Sequence, residues 1–350
     1  MDRKNMLAML HDMLLARAFE ERAAEEYSKG NIAGFLHLYP GEEAVAVGVL
    51  HAASPADYIV STYREHVHAL VRGTPARQIM AELFGRKDGC CQGMGGSMHL
   101  FDKARRFMGG YAIVGETCPV AIGIAYTIAM RKLPETVICF FGDGAVNQGT
   151  FHESLNMAAL WELPVLFVCE NNHYQIGTEI HRHSAVAEVY KRACAYRIPA
   201  RKIDGMDVLA VHQASAEALE QIRAGNGPQF LEFETYRFRG HSMADPGSYR
   251  PRIEVQAYKN DDPVTLAINE TLPVYPDREQ IAAAGPDNIG KLATYLDEAG
   301  HLPSKRLDTI KEQVKETVEQ AVQFALDSPE PQMADAQACL DCNRGLEVLI

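Results

Sequence analysis

The feature that most constrains the fold is a regular alternation of short apolar segments with longer amphipathic segments between residues 119 and 236. The apolar segments have the length of strands, and the amphipathic segments have helical spacing. Strands are predicted at 136–141, 164–169, 199–203 and 229–236, and helices at 119–131, 149–162, 185–195 and 207–224. Such alternation is typical of right-handed βαβ units, whose parallel strands are buried on both faces. The sequence therefore predicts an α/β fold with a mostly parallel sheet and helices on both faces.

The first 115 residues predict helices, one short strand and a long loop. Apolar residues follow helical spacing over residues 5–29, and Gly30 is placed to end that helix. Further helices are predicted at 41–53, 64–72 and 75–84, with a strand at 58–61. Residues 85–115 contain eight glycines, which predicts a loop system with close backbone approach rather than a packed element.

The strand patterns stop beyond residue 250. Polar helices are predicted at 288–298 and 303–328, and the segment 272–302, rich in Pro, Asp and Ala, has no role that the sequence reveals. We therefore expect one domain over residues 1–265 and a helical C-terminal extension over residues 266–350, with a helical N-terminal extension ahead of the sheet.

Composition excludes several classes of protein. The chain has 34 basic and 46 acidic residues, a net charge of −12, and the basic residues are scattered, so no nucleic-acid partner is expected. The apolar run at residues 120–130 has about half the length that a membrane span requires, so no membrane partner is expected either. We expect a cytoplasmic protein, or one in the mitochondrial matrix or a plastid if a transit peptide was removed. Cys339 and Cys342 resemble half of a redox or zinc site, but the sequence has no second pair, and chance is favoured.

Polar residues follow two successive strands of the predicted sheet. Gly142, Asp143 and Gly144 come directly after one strand, and Asn172 follows the next strand along the chain. A single helix joins these strands, so a right-handed crossover lays them parallel, with their carboxyl ends at one sheet edge, where ligands bind in such folds. A carboxylate, an amide oxygen and a backbone carbonyl suit Mg²⁺ and leave positions for phosphates. The sequence therefore predicts a diphosphate-bearing cofactor held through magnesium.

Other interpretations of the Gly-Asp-Gly segment are weaker. Most such tripeptides are turns after a strand, and this one alone would predict little. Counted from Asp143, an EF-hand would need an oxygen ligand, a glycine and a glutamate where the chain has Ala145, Gln148 and Ser154. The dinucleotide and nucleoside-triphosphate fingerprints are absent from the sequence.

The wider sequence resembles a known family. Gly-Asp-Gly is followed, with 26 residues between Gly144 and Asn171, by Asn-Asn, which is similar to the thiamine-diphosphate fingerprint. The segments 37–44, 62–66, 95–99 and 240–250 are similar to those of the alpha subunits of heterotetrameric 2-oxo-acid dehydrogenases. The similarity runs from about residue 5 to residue 265. It implies a thiamine-diphosphate-binding fold with thiamine diphosphate and magnesium as cofactors.

The resemblance also implies roles for individual residues. Magnesium would be held by Asp143, by Asn172 and by the carbonyl of Tyr174. Contacts to the cofactor are implied for His37, Tyr63, Arg64, Ala112, Val114, Gly144, Ala145, Arg237 and His241. His37, His66 and His241 match active-site histidines, and we expect His66 and His241 to be catalytic.

The activity implied is decarboxylation of a 2-oxo acid, expected to be pyruvate, with transfer of the acetyl group to the lipoyl domain of a dihydrolipoyl acyltransferase. Acetoin and branched-chain 2-oxo acids are alternative substrates, and a catalytically silent paralogue that binds the cofactor is the alternative from another class. In this family the glutamate that activates the cofactor belongs to a beta subunit, so an α2β2 assembly is expected. Glu42 and Glu43 are interpreted as structural or rim residues.

The segment 237–250 resembles an active-site loop of the family. Its glycines, its proline and its lack of apolar periodicity predict mobility in the absence of cofactor. Ser242 and Ser248 match serines that are phosphorylated in mitochondrial relatives, and the sequence does not decide whether either is modified here. A phosphate at Ser242 would repel a bound diphosphate.

Overall fold

The computed structural model describes residues 2–259, 288–300 and 304–342 of the 350-residue chain. Its main sheet has six strands that are all parallel to their neighbours, in the order β2-β1-β3-β4-β8-β7. These strands are β1 (Tyr58–Thr62), β2 (Phe107–Tyr111), β3 (Val137–Gly142), β4 (Val165–Asn171), β7 (Ala200–Asp204) and β8 (Gln229–Glu234). A two-stranded antiparallel hairpin, β5 (Tyr174–Gln175) and β6 (Thr178–Glu179), follows β4. The predicted α/β fold with a parallel sheet is confirmed.

The central strands are buried because the sheet separates two apolar cores. Ile138 and Phe140 of β3 pack into one core, while Cys139 and Phe141 pack into the other, as the alternation of side chains along a strand requires. Side chains of β4 divide in the same way. A strand that is covered on both faces needs apolar residues at every position, which is why β3 and β4 are continuous apolar runs in the sequence.

Helices cover both faces of the sheet. They are α1 (Arg3–Ser28), α2 (Glu43–Ala52), α3 (His66–Arg72), α4 (Ala76–Leu83), α5 (Thr117–Arg131), α6 (Gly149–Leu160), α7 (Ile180–His183), α8 (Tyr190–Cys194), α9 (Val208–Arg223), α10 (Arg252–Lys259), α11 (Asn288–Glu298), α12 (Ser304–Asp327) and α13 (Met333–Cys342). Val318 and Val322 of α12 join the core of the first face, and Leu292 of α11 packs with Met9 of α1. The N-terminal and C-terminal helices therefore pack against each other and against the sheet domain.

Several predicted boundaries need correction. The glycine-rich segment contains strand β2, which pairs with β1 at one edge of the sheet, so the prediction of loops alone was wrong there. The helix predicted at 185–195 is shorter in the structure: only α8 lies in this range, and the short helix α7 ends before it. Helices α10 and α13 were not predicted. The expected domain boundary at residue 265 lies outside the described residues, as does most of the segment 272–302.

A glycine is required where β2 approaches β1. A Cβ on Gly110 would lie 2.1 Å from the carboxyl carbon of Glu65, so any side chain would collide with it. Glu65 is buried, and its Oε1 accepts from the backbone N–H of Leu100 at 3.0 Å. Burial raises the pKa of this carboxyl to about 8.

The loop ahead of β2 is anchored by one carboxylate. Both oxygens of Glu82, which is buried at the end of α4, accept backbone N–H bonds from the glycine-rich loop at 2.8–3.1 Å. The donors are Cys91, Gly93, Gly95 and Gly96. This anchor orders a segment that leads to Met98 and to residues 111–115.

Within the described residues, no helix combines the length and the apolarity that crossing a bilayer requires.

Candidate functional site

A cavity of about 220 Å³ lies beyond the carboxyl ends of β1, β3 and β4. The structure places every residue with a predicted cofactor contact on its wall: His37, Tyr63, Arg64, Ala112, Val114, Asp143, Gly144, Ala145, Asn172, Tyr174, Arg237 and His241. They come from six separate stretches of the chain that only the folded sheet brings together. Their roles in binding and catalysis stay predictions, but their convergence is a fact of the fold.

Asp143 and Asn172 meet at one end of this cavity because β3 and β4 are neighbours, with Gly142 opposite Glu170. Asp143 is 1% exposed, and its Oδ2 has no hydrogen-bond partner among the described residues. The Asn172 amide donates from Nδ2 to Oε1 of Glu42 at 3.0 Å, and its Oδ1 accepts from the backbone N–H of Tyr174 at 3.3 Å. A buried carboxylate oxygen without a partner beside an oriented amide is a donor set that suits Mg²⁺.

The same end of the cavity suits a diphosphate. A Cβ on Gly144 would lie 2.7 Å from Cγ of Gln175, so a glycine here permits the close approach of the Gln175 side chain. Arg64 is buried, and its guanidinium donates to the carbonyls of Leu38 and His241. Arg237 is buried as well and donates to the carbonyl of Ile176 at 3.1 Å. Two buried guanidinium groups on one wall favour an anionic ligand.

Two predicted histidines form an aromatic cluster on the cavity wall. The rings of His37 and His241 are 4.9 Å apart, and the ring of Tyr63 lies 4.6 Å from that of His37. Burial and the nearby Arg64 lower the pKa of His37 to about 2 and that of His241 to about 3. Both rings are therefore neutral at pH 7. Nδ1 of each ring is buried and lacks a hydrogen-bond partner in the described part of the chain.

The structure does not bring His66 to the cavity. Its ring is fully buried, with Nδ1 3.0 Å from Oε2 of Glu20 and Nε2 2.9 Å from Oγ of Ser97. These contacts tie α3 to α1 and to the glycine-rich loop. His66 is therefore not among the residues that line the cavity, and the expectation that it is catalytic stays a prediction.

Two glutamates on the cavity wall were missed or misplaced by the sequence interpretation. Glu42 is not a rim residue: it is 1% exposed, lines the cavity, and burial raises its pKa to about 7. Glu170 also lines the cavity, accepts from the hydroxyl of Tyr39 and lies 3.0 Å from Nε2 of His68. The only feature of the sequence that could have indicated this location of Glu170 was its position directly before Asn171 at the end of β4.

Glu43 has the structural role that was predicted for it. It is buried, forms an ion pair with Arg17 of α1 and accepts from the backbone N–H of Gly41 at 2.9 Å. A Cβ on Gly41 would lie 2.1 Å from the carbonyl oxygen of Tyr236, and φ is +106° there, so this turn requires glycine. The turn delivers Glu42 to the cavity.

The segment 237–250 closes one side of the cavity. Asp245 accepts from the backbone N–H groups of His241 and Gly247 at 2.6 and 2.8 Å and from the hydroxyl of Tyr249 at 2.8 Å. Arg250 donates to backbone carbonyls at the start of the same segment. Ser242 is half-buried and Ser248 is exposed. The predicted mobility of this loop and the modification of either serine stay predictions.

Fold and cavity together define the class of protein: an α/β protein with buried guanidinium groups, an oriented amide and an unpartnered carboxylate oxygen at the carboxyl edge of a parallel sheet. A family model described as dehydrogenase E1 component matches residues 11–273. The chain belongs to this family, which confirms the resemblance found in the motifs, and membership implies thiamine diphosphate as the cofactor.

Individual relatives are similar over most of the chain. The pyruvate dehydrogenase E1 component subunit alpha of Porphyra purpurea is 43% identical over 342 residues, which cover 96% of this chain and 92% of that protein. The subunit alpha of Rhizobium meliloti (strain 1021) is 41% identical over 330 residues, with 94% and 88% coverage. The chloroplastic subunit alpha-3 of Oryza sativa subsp. japonica is 42% identical over 338 residues, with 94% and 74% coverage.

Proposed function

We propose that this chain is the alpha subunit of a pyruvate dehydrogenase E1 component, and that it binds thiamine diphosphate and Mg²⁺ in the cavity described above. The observation that carries the proposal is the convergence of every residue with a predicted cofactor contact on one cavity wall. The names of the relatives support the choice of pyruvate as substrate and of an alpha subunit as the role. Sources among bacteria, red algae and plastids support a cytoplasmic or organellar location.

The cation end of the cavity would hold magnesium and the diphosphate. Asp143, the side-chain oxygen of Asn172 and the carbonyl of Tyr174 would supply the protein ligands of Mg²⁺. Arg64 and Arg237 would orient the diphosphate through hydrogen bonds and charge. Gly144 would let the backbone approach the phosphates closely, and α6 begins five residues further on without a side-chain cap.

When bound, thiamine diphosphate supplies the electron sink that decarboxylation of a 2-oxo acid requires. The chain's own residues exclude water from one end of the cavity and position the reactants. Because His37 and His241 are neutral near pH 7, the Nδ1 atom of either ring can accept or donate one hydrogen bond, according to its tautomer. A neutral imidazole also adds no positive charge that would repel the guanidinium of Arg64.

The proposed partners are a beta subunit and the lipoyl domain of a dihydrolipoyl acyltransferase. Glu42 lies at the cation end, held by Asn172, and we propose that the carboxylate that activates the cofactor comes from the beta subunit instead. Exposed apolar side chains at the cavity mouth and on α5 and α6 support the burial of these surfaces by a partner. They are Ile113, Val114, Tyr126, Met130, Leu160 and Trp161.

The deciding experiment is an assay of the chain assembled with its beta subunit. Release of carbon dioxide is measured with pyruvate, with branched-chain 2-oxo acids and, by an acetaldehyde assay, with acetoin, each with thiamine diphosphate and Mg²⁺. We expect pyruvate to have the highest kcat/KM. A higher value for either other substrate would replace pyruvate, and assembled protein that binds cofactor but turns over no substrate would favour the silent paralogue.

A further inference from the structure

A histidine that the motifs did not single out lies against the proposed magnesium ligand. The His183 side chain, at the end of α7, is 9% exposed, and its Nε2 lies 3.4 Å from Oδ2 of Asp143. Neither of these two buried atoms has a hydrogen bond to any described residue. They face each other at a distance that a small rotation of either side chain would convert into a hydrogen bond.

The side chains behind His183 determine which ring nitrogen carries the proton. Nη1 of Arg192 donates to Oδ1 of Asn147 at 2.8 Å. A guanidinium cannot accept a hydrogen bond, so this contact fixes the orientation of the Asn147 amide. The Nδ2 of that amide then lies 3.2 Å from Nδ1 of His183.

The same Nδ2 also lies 3.1 Å from the carbonyl oxygen of His183 and 3.2 Å from Oγ of Ser184. Because an amide nitrogen donates and does not accept, its contact with Nδ1 favours the tautomer in which Nδ1 is the acceptor. The hydroxyl of Ser184, 3.0 Å from the same Nδ1, can donate to it as well. In the neutral ring the proton is therefore on Nε2, which is the nitrogen that faces Asp143. In this tautomer Nε2 has no lone pair for a cation, which favours donation to the carboxylate over direct ligation of the metal.

We propose that His183 is a positioning residue for Asp143: its Nε2–H donates to Oδ2 and leaves Oδ1 free to bind the cation. The inference rests on the proposed function, because it takes Asp143 as a ligand of Mg²⁺. A ligating carboxylate with one oxygen held by a donor keeps its orientation, and such supporting bonds raise metal affinity. Arg192, Asn147 and His183 thus form a chain of donors that ends at the cation site.

The test is calorimetric titration of Mg²⁺ into the chain assembled with its beta subunit, at saturating thiamine diphosphate. His183→Leu keeps the volume of the side chain and removes the donor, and we expect its affinity for Mg²⁺ to fall about 10- to 100-fold. His183→Gln can place an amide N–H near the position of Nε2, and we expect it to stay within about threefold of wild type. The melting temperature without Mg²⁺ should be similar in all three proteins.

The outcomes separate the inference from the proposed function. If the wild-type assembly binds no Mg²⁺ with thiamine diphosphate, the proposed cation site is wrong. If the wild type binds and His183→Leu binds equally well, or if His183→Gln is weakened as much as His183→Leu, the positioning role is wrong. Should His183→Leu not fold, His183→Met replaces it: this side chain also lacks an N–H donor, and unchanged Mg²⁺ affinity would overturn the inference.

Discussion

The two ends of the cavity differ in how far this chain completes them. At the cation end, Asp143, Asn172 and Glu42 are buried, and Asn172 is oriented by partners within the chain. At the mouth, Ile113 and Val114 are 69% and 39% exposed although they line the same cavity. The difference indicates that the chain by itself prepares a site for the cation and the diphosphate, while the other end is suited to a second subunit.

The largest expected effect is the loss of activity without that partner. The isolated chain should decarboxylate pyruvate about 10²- to 10⁴-fold more slowly than the assembly, because a positioned proton-transfer group contributes that factor and the proposed glutamate belongs to the beta subunit. The measurement is carbon dioxide release by the pure chain before and after addition of the beta subunit. Full activity of the pure chain would show that both ends of the cavity are complete without a partner.

The next effect tests the cation end. Asp143→Ala should weaken the binding of thiamine diphosphate with Mg²⁺ by at least about 100-fold, since a direct ligand contributes more than a supporting residue. The fold should survive, because Asp143 lies on the cavity wall and its Oδ2 has no hydrogen bond within the described residues.

Calorimetry of the assembled variant gives the affinity, and thermal unfolding without ligand gives the stability. Asp143→Asn is the matched control: it keeps one side-chain oxygen and should lose less affinity than Asp143→Ala. If both variants bind as the wild type does, Asp143 does not hold the cation.

A smaller effect is expected at the mouth. Ile113→Asp should weaken association with the beta subunit about 10- to 100-fold, because burial of an isoleucine side chain contributes about 1.5–3 kcal/mol and a buried charge opposes assembly. Met333→Asp is the control, since Met333 is 86% exposed on α13, away from the cavity. Association is measured by analytical ultracentrifugation of mixed subunits. If both substitutions weaken association with the beta subunit equally, the cavity mouth has no special role in that association.

The smallest effect concerns pH. Because burial lowers the pKa of His37 to about 2 from about 6.5, the unfolded chain binds a proton between these values that the folded chain does not. His37 therefore destabilises the fold as pH falls below about 6.5. The effect of Glu42 on stability has the opposite sign. Because its pKa is about 7 in the folded chain, the folded chain takes up a proton as pH falls from 7 towards 4.5, and this stabilises the fold.

Comparison of a variant with wild type separates these contributions. The decrease in melting temperature between pH 7 and pH 5 should be about 2–4 °C smaller for His37→Gln than for the wild type. Thermal unfolding of both proteins without cofactor provides the measurement. Identical decreases would mean that the pKa of His37 is the same in the folded and the unfolded chain.

A comparison of strands β3 and β4 with strand β2 shows which parts of the sheet could be predicted from the sequence. Strands β3 and β4 were predicted from local pattern because a strand buried on both faces must be apolar throughout, and the polar residues after each strand were therefore visible. Strand β2 was not, because Gly109 and Gly110 disfavour a strand by their local preferences. Only the contact of Gly110 with Glu65, 45 residues earlier in the chain, explains why glycine stands there.

The sequence by itself determined the parallel α/β fold, the family and the residues that carry its motifs, since these depend on local periodicity and on short segments. The tertiary structure decided the surroundings of those residues. It enclosed His66 away from the cavity, placed Glu42 in it and set His183 against Asp143. Burial and hydrogen-bond partners depend on residues distant in the chain, and no local pattern records which of them meet.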